Sequence, residues 1–244
     1  MNNGRILIVD DEEEIIDVIR LYLEKEQFEV VTACNGIEAV EAVRRHKPDL
    51  IILDVLLPEK DGLEVCRQLR ELTHNPILFL SCKGEDWDKI IALNVGGDDY
   101  MTKPFSPGEL VARVKAHLRR NLRTTSEIQP EPASAMVFGP LEIDIVSHEV
   151  RLDGAPVALS ATEFSLLSKM ALTPGRVYPV EQLFDLIWGS DSYGDTRTVM
   201  VHISNLRKKI EKDPSRPDFV QTVRGVGYKF SAASVSARSK PKEA

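Results

Sequence analysis

The 244-residue chain lacks several features that would point to particular protein classes. Its three cysteines, Cys34, Cys66 and Cys82, lie far apart without a CxxC spacing, which argues against a disulfide framework or a zinc site and favours reduced thiols. No apolar run approaches the roughly 20 residues of a membrane helix, and the N-terminus shows no secretory signal. No glycine-rich phosphate loop (GxGxxG or GxxxxGK) is present, which argues against a nucleotide enzyme. We therefore expect a cytoplasmic globular protein without membrane association.

The net charge of −7 hides an uneven distribution of charge along the chain. Residues 1–120 carry a net charge of −7 and residues 121–244 are neutral, but residues 197–244 hold 11 Lys and Arg against 4 Asp and Glu. Positive charge gathered at one end of an acidic protein indicates a polyanionic partner. A solvated basic tail is the alternative, but the excess remains when the last seven residues are left out.

The first 120 residues alternate between short apolar runs and helix-length segments. The runs are continuously apolar, as in strands covered on both faces, and comprise Ile6–Val9, Val30–Ala33, Leu50–Leu53, Ile77–Leu80 and Tyr100–Thr102. The helical segments span about 14–26, 36–45, 62–73, 85–94 and 107–120. Five such β-then-α units predict an α/β domain over residues 1–120, with a flavodoxin-like, doubly wound, five-stranded parallel sheet.

The pattern changes after a polar, proline-containing linker predicted at residues 121–135. Residues 138–159 alternate in short pieces broken by turns, which predicts a small antiparallel sheet. Three helical segments (Ser160–Leu172, Pro179–Trp188 and Thr196–Lys212) and a hairpin over Phe219–Phe230 follow. This order predicts an α+β winged helix-turn-helix domain over residues 136–231 and a flexible tail over residues 232–244.

Polar side chains follow the predicted strands at the edge where parallel sheets bind ligands. Asp10 and Asp11 follow the first strand, and Asp54 follows the third. Ser81 ends the fourth strand and Lys103 follows the fifth. A carboxylate can attack phosphorus, and several carboxylates in one cleft need a cation such as Mg²⁺, while lysine and serine suit phosphoryl oxygens. Any one of these acids alone would more often be a helix cap, but the full set favours phosphate chemistry.

Three motifs resemble the receiver domain of two-component response regulators, and the resemblance spans residues 5–120. They are Ile8–Glu12, Leu53–Pro58 with Asp61–Gly62, and Gly97–Phe105. The resemblance implies that Asp54 accepts a phosphoryl group from a sensor histidine kinase. It also implies that Asp11, Asp54 and the carbonyl of Leu56 bind Mg²⁺, with Asp10 acting through water.

The same resemblance implies that Ser81 and Tyr100 form a switch pair. The hydroxyl would move toward the phosphoryl group while Tyr100 turns inward. Two residues depart from the commonest receiver pattern. Cys82 replaces a smaller alanine and is either a redox group or, as we favour, an inert thiol. Leu56 cannot orient a hydrolytic water, so we expect slow self-dephosphorylation.

The helical segment from Thr196 to Ile210 has one apolar stripe, formed by Val199, Ile203, Leu206 and Ile210. The stripe leaves six polar residues that we expect largely outside: Arg197, His202, Asn205, Arg207, Lys208 and Lys209. Arg and Asn can contact purine edges in a major groove, and Lys neutralises phosphates. A surface helix with a basic face is the alternative, but the following hairpin, with its own cations, favours DNA binding.

Four segments of this half resemble the effector domain of the OmpR/PhoB family over about residues 136–231. They are Ser160–Leu167, Val177–Leu183 with Trp188–Gly189, Arg197–Ile210, and Thr222–Tyr228. The resemblance implies that the helix from Thr196 enters the major groove and that Thr222, Arg224 and Tyr228 of the wing touch the backbone or minor groove. It also implies that the loop 189–195 faces RNA polymerase.

Two positions of the helix depart from the common effector pattern. Met200 stands where an acid or amide is common, and Ser204-Asn205 where basic residues are common. The base preference therefore stays open, and fewer cationic contacts predict a weaker dependence of DNA binding on salt.

The resemblance further implies that phosphorylated receivers pair through the fourth helix, fifth strand and fifth helix. Charged residues in these segments suit ion pairs across a homodimer: Lys89, Asp98, Asp99, Glu109, Arg113 and Arg120. Pairs within one helix, such as Glu109 with Arg113, are an equally open alternative. Dimerisation would let two weak DNA modules act on paired half-sites.

We therefore predict a phosphorylation-dependent transcription regulator rather than an enzyme. One alternative is a phosphatase with an aspartyl nucleophile, but such enzymes carry Asp-x-Asp after the first strand, whereas Asp10 and Asp11 are adjacent here. The other alternative is a DNA-binding protein whose receiver is only a dimerisation scaffold, which the complete acidic cluster disfavours.

Overall fold

The computed structural model describes residues 3–58, 60–82, 85–126, 135–189 and 195–232. The chain divides into two compact units, of which the first is built mainly from the residues up to Arg119. No helix in these described ranges is long and apolar enough to cross a membrane.

The first unit alternates strands and helices, as the sequence predicts. Its elements are β1 (Arg5–Val9), α1 (Glu13–Lys25), β2 (Glu29–Ala33), α2 (Gly36–His46), β3 (Leu50–Asp54), α3 (Gly62–Arg70), β4 (Ile77–Ser81), α4 (Asp86–Val95), β5 (Asp99–Thr102) and α5 (Pro107–Ser126). The five strands form one sheet in the order β2-β1-β3-β4-β5, and all neighbours run parallel. The predicted doubly wound architecture is confirmed, and β1, β3 and β4 occupy the interior of the sheet.

Two apolar cores cover the two faces of this sheet. Successive strand residues point to opposite faces, so Leu7 and Leu53 pack with α2, α3 and α4, whereas Ile6 and Ile52 pack with α1 and α5. Every residue of β3 is buried. The continuous apolarity of the central strands therefore has a direct cause, because helices cover both faces of the sheet there.

Helix α5 is longer than the sequence predicts. It was expected to end at Arg120, before a linker over residues 121–135, but it continues to Ser126. No proline or glycine occurs between Asn121 and Gln129, so nothing in the local sequence stops the helix earlier. Residues 127–134, and the predicted tail beyond Ala232, lie outside the described residues.

The described residues of the second unit form two antiparallel sheets and three helices. Its elements are β6 (Ala135–Phe138), β7 (Leu141–Asp144), β8 (Glu149–Leu152), β9 (Ala155–Pro156), α6 (Ala161–Ala171), β10 (Val177–Pro179), α7 (Val180–Trp188), α8 (Arg197–Ile210), β11 (Val220–Val223) and β12 (Gly227–Phe230). Strands β6 to β9 pair in sequence order. Ser160 and Glu163 form the predicted capping box at the start of α6.

The wing is a three-stranded sheet rather than the two-stranded hairpin that the sequence predicts. The order is β10-β12-β11, and Tyr178 of β10 lies opposite Tyr228 of β12. A Cβ on Gly227 would lie 2.0 Å from the carbonyl oxygen of Tyr178, so the close approach of these strands requires glycine. Strand β10 has only three residues, too few to show an alternating pattern in the sequence.

Candidate functional site

A lysine joins three carboxylates at the carboxyl ends of β1, β3 and β5. Lys103 Nζ lies 2.6 Å from Asp54 Oδ2, 2.8 Å from Asp10 Oδ2 and 3.3 Å from Glu12 Oε1. Asp10 and Asp54 are buried, and the Lys103 side chain is only 7% exposed. Because one cation neutralises only part of this negative charge, the cluster favours a further cation.

Burial and ion pairing oppose each other in this cluster. Burial raises the pKa of Asp10, and the ammonium group of Lys103 and the backbone N–H of Glu12 offset part of that rise. Burial would lower the pKa of Lys103, but the hydrogen bonds to Asp10 and Asp54 outweigh it, and the pKa is raised. Lys103 is therefore a permanent positive charge beside Asp54.

The loop after β3 fixes the orientation of the Asp54 carboxylate. The backbone N–H of Leu56 donates to Asp54 Oδ1 at 2.9 Å, while Oδ2 accepts from Lys103. The N–H of Gly62 donates to the carbonyl of Val55, and a Cβ at Gly62 would lie 2.0 Å from the Asp54 carbonyl oxygen. The glycine therefore lets α3 begin directly against the residue that the sequence predicts as phosphoacceptor.

The donor set of the cluster fits a hard divalent cation. Carboxylate oxygens of Asp10, Glu12 and Asp54 lie within 4.8 Å of one another. Oxygen-only ligands of this kind suit Mg²⁺. The sequence interpretation named Asp11 instead of Glu12, but the structure leaves Asp11 exposed and outside this trio. Asp10 to Glu14 are five consecutive acids, which give no sequence signal for which of them turn toward Lys103. The carbonyl of Leu56 stays a predicted ligand.

The predicted switch residues lie together beside this site. Ser81 is fully buried at the end of β4. Tyr100 of β5 lies opposite Phe79, which is two residues before Ser81 on β4. Residues two apart on a strand share a face, so Tyr100 reaches the Ser81 hydroxyl and forms a hydrogen bond with it. Burial raises the pKa of Tyr100, and this hydrogen bond opposes the rise. Tyr100 is buried in the structure, while Cys82 is exposed, and the inward turn of Tyr100 on phosphorylation stays a prediction.

The charges predicted to pair across a dimer form a buried network within the chain. Arg113 Nη1 lies 2.8 Å from Asp99 Oδ2, and Arg113 Nη2 lies 2.8 Å from Glu109 Oε1. His117 Nε2 adds a contact of 3.4 Å to Asp99. Burial alone would raise the pKa of Asp99, but Arg113 and His117 outweigh it and hold the pKa below its usual value. For Glu109 and Arg113, the structure shows the intrachain alternative.

Asp98 is also unavailable as a surface charge. Its side chain is fully buried and pairs with Arg70, which also donates to the carbonyls of Gly96 and Asn75. Asp98 and Asp99 both have intrachain partners, as buried carboxylates require, and their pairing across a dimer stays a prediction that would require these bonds to be exchanged. Lys89 is partly buried, and the side chain of Arg120 lies outside the described residues.

Helix α8 buries a wider arc than the predicted stripe. The four apolar residues are buried as expected, but His202 and Asn205 are only 1% and 7% exposed. They were predicted to lie outside, and that prediction is wrong. The helix packs against α6 and is also bonded to β11, so residues flanking the stripe are covered as well.

The outward face of α8 is formed by residues three to four apart. Its exposed members are Arg197, Met200, Ser204 and Lys208. Arg197 pairs with Asp195 at 2.7 Å. Lys209, also exposed, is held by Glu163 at 2.6 Å. Met200 and Ser204, which depart from the common effector pattern, thus lie in the middle of the surface that a groove would meet, whereas Asn205 is buried.

Arg207 ties α8 to the wing. Its Nε donates to the carbonyl of Val220 at 2.8 Å, its Nη2 donates to Thr222 Oγ1 at 2.8 Å, and its guanidinium carbon lies 5.5 Å from the ring centroid of Tyr228. Burial lowers the pKa of Arg207 and raises that of Tyr228. Tyr228 is buried, whereas Thr222 and Arg224 are exposed. Most of the predicted polymerase-facing loop, 190–194, lies outside the described residues.

Known proteins resemble both units. A family described as "Response regulator receiver domain" matches residues 6–115, and one described as "Transcriptional regulatory protein, C terminal" matches residues 154–230. The chain is 45% identical over 232 residues to the alkaline phosphatase synthesis transcriptional regulatory protein PhoP of Bacillus subtilis (strain 168), covering 93% of this chain and 97% of that protein. It is 43% identical over 225 residues to the DNA-binding response regulator MtrA of Mycolicibacterium smegmatis, covering 92% and 96%. A solved structure of a RitR mutant has 27% identity and a TM-score of 0.74, covering 93% of this chain and 98% of that one.

Proposed function

The chain belongs to the OmpR/PhoB family of two-component response regulators, and on this basis we propose that phosphorylation of Asp54 controls its binding to DNA. Its receiver and DNA-binding domains make it a DNA-binding transcription regulator, which implies a kinase partner. The contact of Lys103 Nζ with Asp54 at 2.6 Å carries the proposal, because a fixed positive charge beside one carboxylate suits phosphoryl transfer.

In the proposed reaction, an Asp54 carboxylate oxygen attacks the phosphorus of a phosphohistidine on the sensor kinase. The new P–O bond forms as the P–N bond breaks, and the imidazole leaves with the electron pair and takes up a proton. Lys103 stays charged and its ammonium group pairs with the phosphoryl oxygens as they arrive on Asp54. The Ser81 hydroxyl donates a hydrogen bond to one of these oxygens. Asp54 with Asp10 and either Glu12 or Asp11 would hold Mg²⁺, which would supply further positive charge to the phosphoryl group.

Phosphorylation is proposed to reach the surface of the receiver through Ser81 and Tyr100. A phosphoryl group on Asp54 competes with Tyr100 for the Ser81 hydroxyl, since the two side chains are hydrogen-bonded to each other. Loss of that bond changes how β5 and the neighbouring helices α4 and α5 pack. We propose that this surface then forms the homodimer, with Lys89 and Arg120 as the remaining candidate charges.

The winged-helix domain is proposed to place α8 in the major groove of double-stranded DNA. The exposed face with Arg197 and Lys208 supports this placement, and the exposed Arg224 at the wing turn suits the backbone or minor groove. A dimer would place two such modules on tandem promoter sites. The loop 189–195 is the proposed contact with RNA polymerase. Chemistry by the chain itself is limited to self-phosphorylation and self-dephosphorylation.

The proposal is tested by selecting duplexes from a tandem-site DNA library with and without a small-molecule phosphodonor and Mg²⁺. We expect the donor to raise the affinity of the wild-type chain and to leave Asp54→Asn unchanged. Equal binding by the two proteins under all conditions would support the unresponsive scaffold instead. Absence of DNA binding by either protein would refute the proposed role of the winged helix.

A further inference from the structure

A cleft of about 410 Å³ lies where the end of α8, the following loop and β11 meet. Its lining consists of Arg207, Ser215, Arg216, Pro217, Gln221 and Thr222. No acidic residue lines it, and every polar side chain in it can donate a hydrogen bond. We propose that this cleft binds one phosphate of the DNA backbone, with Arg216 as a contact residue that the motifs do not indicate. The inference rests on the DNA-binding function proposed above.

Arg207 is already held in a position suited to an anion. Two of its nitrogens donate to Val220 and Thr222, and Tyr228 lies beside its guanidinium plane. Binding an anion therefore freezes little additional side-chain freedom. The Thr222 hydroxyl accepts from Arg207, so its own hydrogen is free to be donated to a phosphate oxygen.

Two carboxylates of the same loop, those of Glu211 and Asp213, accept hydrogen bonds from backbone N–H groups. Glu211 accepts from the N–H groups of Asp218 at 2.7 Å and Val220 at 2.8 Å, and Asp213 accepts from the N–H of Ser215 at 2.9 Å. Within the described ranges, no carboxylate lies within ion-pair distance of the Arg207 guanidinium, which donates to Val220 and Thr222, and the backbone N–H of Arg216 donates to the carbonyl of Asp213 at 2.9 Å. The cleft therefore presents positive charge that an external anion can neutralise.

The surroundings of the cleft favour a backbone phosphate over an acidic peptide. Lys208 follows the lining residue Arg207 in α8, and Arg224 lies two residues after the lining residue Thr222. Both cations are exposed and both are proposed to contact DNA. Two guanidinium groups and hydroxyl donors suit a compact tetrahedral anion. The contact reads no base, so it should strengthen binding to all sequences alike.

The test compares Arg216→Ala with Arg151→Ala in the full chain. Arg151 is an exposed arginine of β8, in the other sheet of this unit, and its pair with Glu149 at 3.3 Å is also exposed. Both variants lose one positive charge. DNA affinity is measured against salt concentration, on a selected duplex and on a random duplex of equal length.

We expect Arg216→Ala to reduce the slope of log affinity against log salt by about 0.9 per bound copy, which is about eightfold weaker binding at 0.1 M salt. Arg151→Ala should match the wild type. Thr222→Val should weaken binding without changing the slope, because it removes a neutral donor.

Three results would overturn the inference in distinguishable ways. If the wild type binds DNA and Arg216→Ala behaves as Arg151→Ala does, the cleft holds no phosphate, while the proposed function stands. If the wild type shows no salt-dependent DNA binding, the proposed function fails and the inference with it. If Arg216→Ala keeps the wild-type slope but loses transcription by RNA polymerase, the cleft belongs to a protein partner.

Discussion

Replacing Arg113 by methionine should destabilise the receiver strongly and in a pH-dependent way. Arg113 and Asp99 are both buried, with Nη1 and Oδ2 2.8 Å apart. Removing one partner of a buried ion pair costs about 3–5 kcal/mol, because the other charge stays buried without compensation. His117 still contacts Asp99, so we expect the lower end of that range. This is a large part of the roughly 5–15 kcal/mol that stabilises an ordinary domain.

The pH dependence should reverse between the wild type and Arg113→Met. In the wild type, the folded-state pKa of Asp99 is lowered, so its stabilising contribution is present above the unfolded pKa and is lost as pH falls through the folded pKa. In the variant, only His117 still opposes the effect of burial, and we expect burial to outweigh it and raise the folded pKa of Asp99. The penalty is then largest at neutral pH and shrinks as acid protonates the carboxyl group.

Urea unfolding of the full chain between about pH 7 and pH 4 measures this difference, with hydrogen exchange at β5 as a readout of the receiver alone. The double variant Asp99→Asn with Arg113→Met is the matched control, since it removes both charges and should recover much of the loss. The reasoning is refuted if Arg113→Met lies within about 1 kcal/mol of the wild type at neutral pH or becomes relatively less stable in acid.

Three further outcomes are expected. Leu56 is 48% exposed beside Asp54 and has no group that could orient a hydrolytic water. The phosphorylated wild type should therefore persist for many minutes, and Leu56→Asn should release phosphate faster. A wild-type half-life of seconds would contradict this expectation. Gly62→Ala should lower the stability of the receiver by several kcal/mol and reduce phosphorylation of Asp54, because the added Cβ would lie 2.0 Å from the Asp54 carbonyl oxygen. Thermal unfolding and labelling with a phosphodonor measure the two effects. Wild-type values in both assays would show that α3 shifts to make room for the methyl group. Ser168→Ala should raise stability by about 1 kcal/mol, because the buried Ser168 hydroxyl has no hydrogen-bond partner among the described residues; a clear loss in urea unfolding would indicate a hidden partner.

The sequence predicts the receiver better than the wing because the strands of the receiver leave longer patterns in the sequence than strand β10 of the wing does. Four-residue apolar runs and strand-end acids reveal β1, β3 and the place of Asp54, since strand order in a parallel sheet restricts where polar groups converge. A three-residue strand such as β10 carries too little pattern to be recognised.

Side-chain environments are harder to predict than elements. The stripe of α8 identifies its buried centre, but the burial of His202 and Asn205 depends on how closely α6 and β11 approach, which no helical periodicity encodes. Which of Asp11 and Glu12 contacts Lys103 likewise depends on where the Lys103 ammonium group lies after its side chain extends from the end of β5 toward β1. Both cases are set by tertiary distances that local sequence does not contain.

The hydrogen bonds from Arg207 to β11 hold helix α8 and the wing at a fixed separation. Glu211 adds a second tie, because its carboxylate binds the backbone where β11 begins. Because α8 and the wing cannot move apart, binding to DNA should depend on the spacing of the two contacted sites along the duplex as well as on base identity. One inserted base pair turns the far contact by roughly 35° around the helix axis, given about 10.5 base pairs per turn. An operator for this protein should therefore tolerate a changed base between its two contact points better than an added one.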